Sequence, residues 1–321
     1  MKIVNAYIIT MVGHGVSEGQ ARRGYQSIIQ TGSALQPVFF PATTPVTLKE
    51  DALKLAMQVK DYIPDFNMNS LIYEKETSTA ADRWRVNYTY PRIPGSSHRK
   101  AVINTVPGRT QRGDGFYDPA TDLVLKPYAG LWKVTASCSL SHFRSWLQCI
   151  KLNEPIVVME HDAMFVKNFN VSMIQEEPAN YQLAGSKEKL DPTRLISLNS
   201  PISNNGVVTR RGKLYHEKLQ NKLKTNIITN PPSINNDDER YPQGLPGNSC
   251  YYITPWAAKE LFKKISEIGI WPNDALICKE FFPWVKVSTV YYTDIQKSAY
   301  STTVIRDKAY YPGGGVVGPI L

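Results

Sequence analysis

The sequence is poor in the residues that build a disulfide framework or a zinc module. Among 321 residues only Cys138, Cys149, Cys250 and Cys278 are cysteines, and no two of them form a CxxC pair. That spacing argues against both scaffolds and predicts free, buried thiols. Long apolar runs are missing too. The opening "MKIVNAYIIT" is too short to cross a bilayer and no small-residue cleavage site follows it, so a cytoplasmic protein without an anchor is expected. The glycines of the closing "YYPGGGVVGPIL" have no strand and helix around them, which excludes a phosphate loop there. Acids are in deficit, 28 Asp and Glu against 37 Lys and Arg, for a formal net charge of +9. Such an excess favours anionic partners: nucleic acid, a phosphorylated glycan or an acidic membrane surface.

What is present reads as an ordinary folded α/β chain, with 42% hydrophobic and 20% charged residues. "KIVNAYIIT" predicts a first strand, and "SEGQARRGYQSIIQTG" a helix with Ser17 and Gln20 at capping-box spacing and Gly32 as its stop. "LQPVFFPA" predicts a second strand, and strand, helix, strand in so short a span opens an α/β sheet. "LKEDALKLAMQVKDYI" follows with helical spacing. "SCSLSHFRSWLQCIKLN" has Leu140, Phe143, Leu147 and Ile150 on one face, with Ser137 or Ser139 as the expected cap. "CYYIT" reads as a later strand, and "TPWAAKELFKKISEIG" as a helix capped by Thr254, with Pro255 in its first turn and Gly269 as its end.

Two stretches stand out against this background. From Arg83 to Tyr117, Arg83, Arg85, Arg92, Arg99, Lys100, Arg109 and Arg112 face a single acid, Asp114, and are interleaved with Trp84, Tyr88, Tyr90, Phe116 and Tyr117. Cations among aromatics suit phosphate contacts and base stacking, although a solvated irregular segment has the same composition. The other is "IVVMEHDAMFV" (156–166), where a buried-strand pattern breaks into Glu160, His161 and Asp162. Charges are seldom buried without a partner, and the C-terminal end of a strand is where open α/β sheets bind ligands. Oxygen ligands there suit Mg²⁺ or Mn²⁺.

Three segments, in order, resemble glycosyltransferase family 25, which includes lipooligosaccharide sugar transferases and collagen galactosyltransferases. "FFPATTP" is similar to that family's "FPAVDG" turn. "ASCSLSHFRSWLQCIKLNEPIVVMEHDAMF" is similar to its "GCxLSHxxxW" helix and "LEDD" strand end. "PGNSCYYITPWAAKELFKKI" with "WPNDALI" is similar to "GTxAYxISxxGAxxLL" and "PxDxxL". The resemblance implies a single GT-A-like α/β domain over residues 1–321, with a mixed, mostly parallel central sheet and helices on both faces. It also implies a nucleotide-sugar donor, taken as UDP-linked, and sugar transfer to a hydroxyl by single displacement with inversion.

By that resemblance Asp162 and Glu160 would hold the metal, with Asp162 also catalytic, and Asp274 would be the base that deprotonates the acceptor. Thr10, Arg22, Arg23, His142, His161, Asn248 and Ser249 would contact the donor, with Gly247 in the tight turn before Asn248. His161 stands where the family has Asp, and the "NLxRRxxR" signature is not reproduced. Residues 43–130 exceed the length the resemblance leads one to expect, so they are set apart as a basic, aromatic insertion, with 293–321 as a C-terminal tail. The insertion points to a hydroxymethylated pyrimidine in bacteriophage duplex DNA as the acceptor, a target that would have to be extruded from the helix. The alternatives are a lipooligosaccharide or other surface glycan, or an inactive relative serving as a binding module.

Overall fold

The structure, a computed structural model, describes residues 3–71, 116–118, 123–125, 132–174, 195–201, 210–220, 228–232, 245, 248–268 and 273–296. It begins with β1 (Val4–Thr10), α1 (Gly15–Gln30), β2 (Leu35–Pro41) and α2 (Leu48–Lys60), then a short antiparallel pair, β3 (Phe116–Asp118) and β4 (Leu123–Leu125). Next come α3 (Trp132–Leu152), β5 (Ile156–Glu160), β6 (Ala163–Phe165), β7 (Leu195–Ser197), α4 (Arg210–Gln220) and β8 (Ile228–Thr229). The last elements are β9 (Cys250–Ile253), α5 (Pro255–Ile268), α6 (Asn273–Leu276), β10 (Val285–Ser288) and β11 (Thr293–Ile295).

The central sheet has the order β2-β1-β5-β9-β7-β10-β8. β1, β2, β5, β7 and β10 run one way, and β8 and β9 run against them, so the sheet is mixed and mostly parallel. Both faces are covered, which is why its inner strands read as continuous apolar runs. Alternation divides them. Tyr7, Ile9, Ile156 and Val158 pack with α2, α3 and α5, while Ala6, Ile8, Val157 and Met159 pack with α1.

The caps differ from expectation. α1 starts at Gly15, and its cap is His14, whose Nδ1 accepts from the Ser17 amide at 3.3 Å. Gly13, at φ +80, makes the turn that brings His14 into extended backbone. The Ser17 hydroxyl instead accepts from the Met11 amide at 2.9 Å. α3 begins at Trp132, because no Gly or Pro interrupts the chain between there and Ser137, so Ser137 and Ser139 lie inside the helix. Thr254 does cap α5, its Oγ1 accepting from the Ala257 amide.

The segment 43–130 opens with core structure. Leu48, Ala52, Leu55, Ala56 and Val59 bury the inner face of α2, and Phe66 meets Phe262 of α5 edge-on at 5.9 Å between centroids. Residues 293–295, placed by sequence at the head of the tail, form β11, which pairs antiparallel with β6 in a separate two-stranded sheet. The cysteines are free thiols, Cys149, Cys250 and Cys278 buried and Cys138 half-buried.

Candidate functional site

The parallel strands β2, β1 and β5 end together, and an open cleft lies beyond their C-terminal ends. Met11 and His14 come to it from the β1–α1 turn, Thr43 from the turn after β2, Glu160 and His161 from the end of β5, and His142 from α3. The turn after β2 is fastened to α3: the Ser141 hydroxyl accepts from the Thr43 amide at 2.9 Å and donates to the Ser137 carbonyl at 2.8 Å. Arg144 Nη1 adds bonds to the Pro41 carbonyl and to Thr43 Oγ1, each 3.1 Å.

Glu160 continues the alternation of Ile156 and Val158, which turns it toward α3, and its amide donates to the Ser249 carbonyl at 2.8 Å. Its carboxylate meets α3 there. Oε1 lies 3.2 Å from His142 Nε2 and 4.0 Å from Cys138 Sγ. His142, fully buried, has Nδ1 2.9 Å from the Tyr251 hydroxyl, whose oxygen accepts from Trp146 Nε1 at 2.6 Å. A buried chain thus runs from α3 through β9 and back to the end of β5.

His161 and Asp162 occupy the turn between β5 and β6. His161 lines the cleft and its Nε2 is buried without a hydrogen-bond partner among the described residues. Burial lowers its pKa, opposed by the Glu160 charge and reinforced by His14. Asp162 is buried, with Oδ1 likewise lacking a partner among the described residues, and burial, aided by Glu160, pushes its carboxyl up to about 8. The turn's backbone is held by Gln296. Its amide donates to the Asp162 carbonyl, and its Nε2 reaches the carbonyls of Gln20, His161 and Ala163 at 2.8, 3.2 and 3.3 Å.

Of the residues singled out from sequence, Glu160, His142 and His161 come together at the cleft, and Asn248 and Ser249 lie buried at the start of β9 beside Glu160. Asp162 sits next to the cleft without lining it. Thr10 spends its hydroxyl on the Ile8 carbonyl at 2.9 Å and is outside the lining, as are Arg22 and Arg23 on the exposed side of α1, where Arg23 Nε donates to Gln296 Oε1. Asp274 falls in α6, whose first amide, that of Asn273, donates to Ser139 of α3. Arg83, Arg85, Arg92, Arg99, Lys100, Arg109, Arg112 and Gly247 lie outside the described residues. Tyr251, Trp146, Cys138 and His14 are the additions the structure makes.

Glu160 could hold a divalent cation, since it faces the cleft with part of its carboxylate exposed, and Asp162 Oδ1 beside it has no hydrogen-bond partner among the described residues. Ligand atoms of Cys138, His142 and Glu160 also lie within 4.8 Å of one another, a mixed S, N, O set that suits a softer ion than Mg²⁺. Among the described residues no helix is long and apolar enough to cross a membrane. Residues 126–277 match the family model described as glycosyltransferase family 25 (LPS biosynthesis protein), a span that holds the whole Trp146–Tyr251–His142–Glu160 chain. No curated protein matches the sequence.

Proposed function

Residues 126–277 place this chain in glycosyltransferase family 25, and from that premise we propose that it moves a sugar from a UDP-linked or other nucleotide diphosphate donor to a hydroxyl of a surface glycan. The observation that carries the reading is Glu160, a carboxylate at the C-terminal end of a parallel strand, facing the cleft and braced by His142. The donor occupies the cleft. His14 and His161 offer ring nitrogens toward its diphosphate, and the Thr43 turn closes the side toward β2. Glu160, with Asp162 behind it, would hold Mn²⁺ or Mg²⁺, which when bound neutralises charge on the departing diphosphate. Asp274 is the proposed base, taking the proton of the acceptor hydroxyl in a single displacement with inversion. The reaction is assigned to the cytoplasm, where no membrane-spanning helix is needed.

A second reading keeps the enzyme and changes the acceptor. The seven Lys and Arg against one acid between residues 83 and 117 favour a hydroxymethylated pyrimidine in bacteriophage duplex DNA. One experiment tests both. The protein is incubated with a panel of nucleotide sugars and Mn²⁺, with either a lipooligosaccharide core or hydroxymethylated duplex DNA, and the products are weighed by mass spectrometry. A hexose or pentose increment on the glycan supports the first reading, and one on DNA the second. Glu160→Gln is expected to lower turnover about 100-fold and Asp274→Asn by a factor on the order of 100 to 10,000. No turnover of any donor, with acceptor binding intact, would instead make the chain a binding module.

A further inference from the structure

The buried chain between α3 and β9 has a direction, and the direction follows from donor and acceptor counts alone. An indole N–H can only donate. Trp146 Nε1 therefore donates to the Tyr251 oxygen, 2.6 Å away. The phenol keeps its proton, because complete burial raises its pKa well above the ordinary value. That proton needs an acceptor, and among the described residues only His142 Nδ1, 2.9 Å away, supplies one. With Nδ1 accepting, the neutral imidazole carries its hydrogen on Nε2, which faces Glu160 Oε1 at 3.2 Å. Every hydrogen in the chain is then used once.

We propose that Trp146 and Tyr251 are positioning residues that lock His142 as its Nε2–H tautomer, making it a fixed donor to Glu160 Oε1 and excluding it from coordinating a cation. The inference rests on the glycosyltransferase reading only for what Glu160 is oriented toward. Both the His142 and the Cys138 contacts fall on Oε1, and among the described residues Oε2 has no hydrogen-bond partner. The chain consequently fixes the carboxylate by one oxygen and leaves the other for the ligand in the cleft. A cation bound at His142 Nε2 would need the opposite tautomer. Nδ1–H would then point at a Tyr251 oxygen already receiving the indole N–H, and the phenolic hydrogen would be buried with no acceptor. Of the three ligand types clustered here, the imidazole is thus a brace for the carboxylate rather than a third ligand beside it.

The tautomer is read directly, in the full chain without substrate, by long-range ¹H–¹⁵N correlation on ¹⁵N-histidine protein at neutral pH. The signal is assigned by its loss in His142→Gln. The expected result is a proton on Nε2 and an accepting Nδ1, unchanged when Co²⁺ is added. An Nδ1–H tautomer overturns the proposal, as does a Co²⁺-induced shift of the His142 nitrogens accompanied by a thiolate-to-cobalt absorption band that Cys138→Ser removes. Activity gives an independent arm. A Gln amide nitrogen overlays Nε2 and an Asn amide nitrogen overlays Nδ1, so His142→Gln is expected to keep turnover within about tenfold and His142→Asn to lose about 100-fold. Equal losses in the two variants would sink the positioning role. If no donor were turned over at all, the glycosyltransferase reading would fail while the nitrogen spectrum still decided the tautomer.

Discussion

On the α3 side of the sheet, the buried polar groups close on one another: Trp146, Tyr251 and His142 each meet a partner and deliver the chain to Glu160. On the α1 side, Gln20 is completely buried and its side-chain amide finds no partner for either atom among the described residues, while α1 is instead brought close to the sheet by absence of a side chain at Gly24. The first side is stiffened by hydrogen bonds set within a cage of rings, with Phe143, Trp146 and Phe262 in mutual contact. The second is stiffened by backbone proximity. Geometry at the cleft is therefore protected from the α3 side by a closed chain of side chains, and from the α1 side by Gln296 on the turn's backbone together with space at Gly24 that must stay empty.

Breaking the closed side should have the largest effect. Trp146→Ala removes a fully buried ring and the donor that orients Tyr251, and is expected to cost about 3–5 kcal/mol in urea unfolding. Crowding the other side comes next. A methyl at Gly24 would meet the Ala163 carbonyl oxygen at 2.8 Å, and since that atom is backbone the acidic turn itself must shift. Gly24→Ala is expected to cost about 1–3 kcal/mol and to lower turnover along with stability.

The turn between the two sides offers a pH test. Asp162 is held at about 8 against an ordinary 3.8, so across that window the folded protein keeps a proton that the unfolded chain has released. Stability should fall as pH rises from about 4 to about 8 and level off above, with Asp162→Asn flattening the slope in denaturation measured across pH. The smallest effect, and of opposite sign, belongs to Gln20. Gln20→Leu replaces a side-chain amide without partners among the described residues by an apolar group of similar size and should leave stability unchanged or raise it by up to about 1 kcal/mol. A large loss there would show that the two sides are less different than described.

The strands were legible because burial on both faces writes itself as uninterrupted apolar runs, and the acidic break at Glu160 stood out for the same reason. The caps were not. His14 is a weak candidate by residue type, and its role depends on the Gly13 turn; Ser137 and Ser139 resemble caps but lie inside α3, where the Ser137 carbonyl accepts from the Ser141 hydroxyl and the Ser139 hydroxyl accepts from the Asn273 amide. Within the site, His142 was visible through its motif, whereas Tyr251 passed as one more strand residue in "CYYIT". Its role depends on the pairing of Val158 with Tyr251 across antiparallel strands, a register set by the whole sheet. The one local hint was the spacing of His142 and Trp146, four residues apart and so on one helix face. Of the basic stretch at 83–117, only residues 116 and 117 fall among the described residues.

Gln296 ties the acidic turn to residues as far back as Gln20, 276 positions earlier in the chain. Such a contact can form only once residue 296 has been synthesised, and closing so long a loop is slow in any refolding reaction. The sheet and its aromatic cage can assemble before that, from elements that end at β10. The order of the acidic turn is therefore coupled to a contact between the two ends of the described residues, and a change at Gln296 would reach the cleft without touching it.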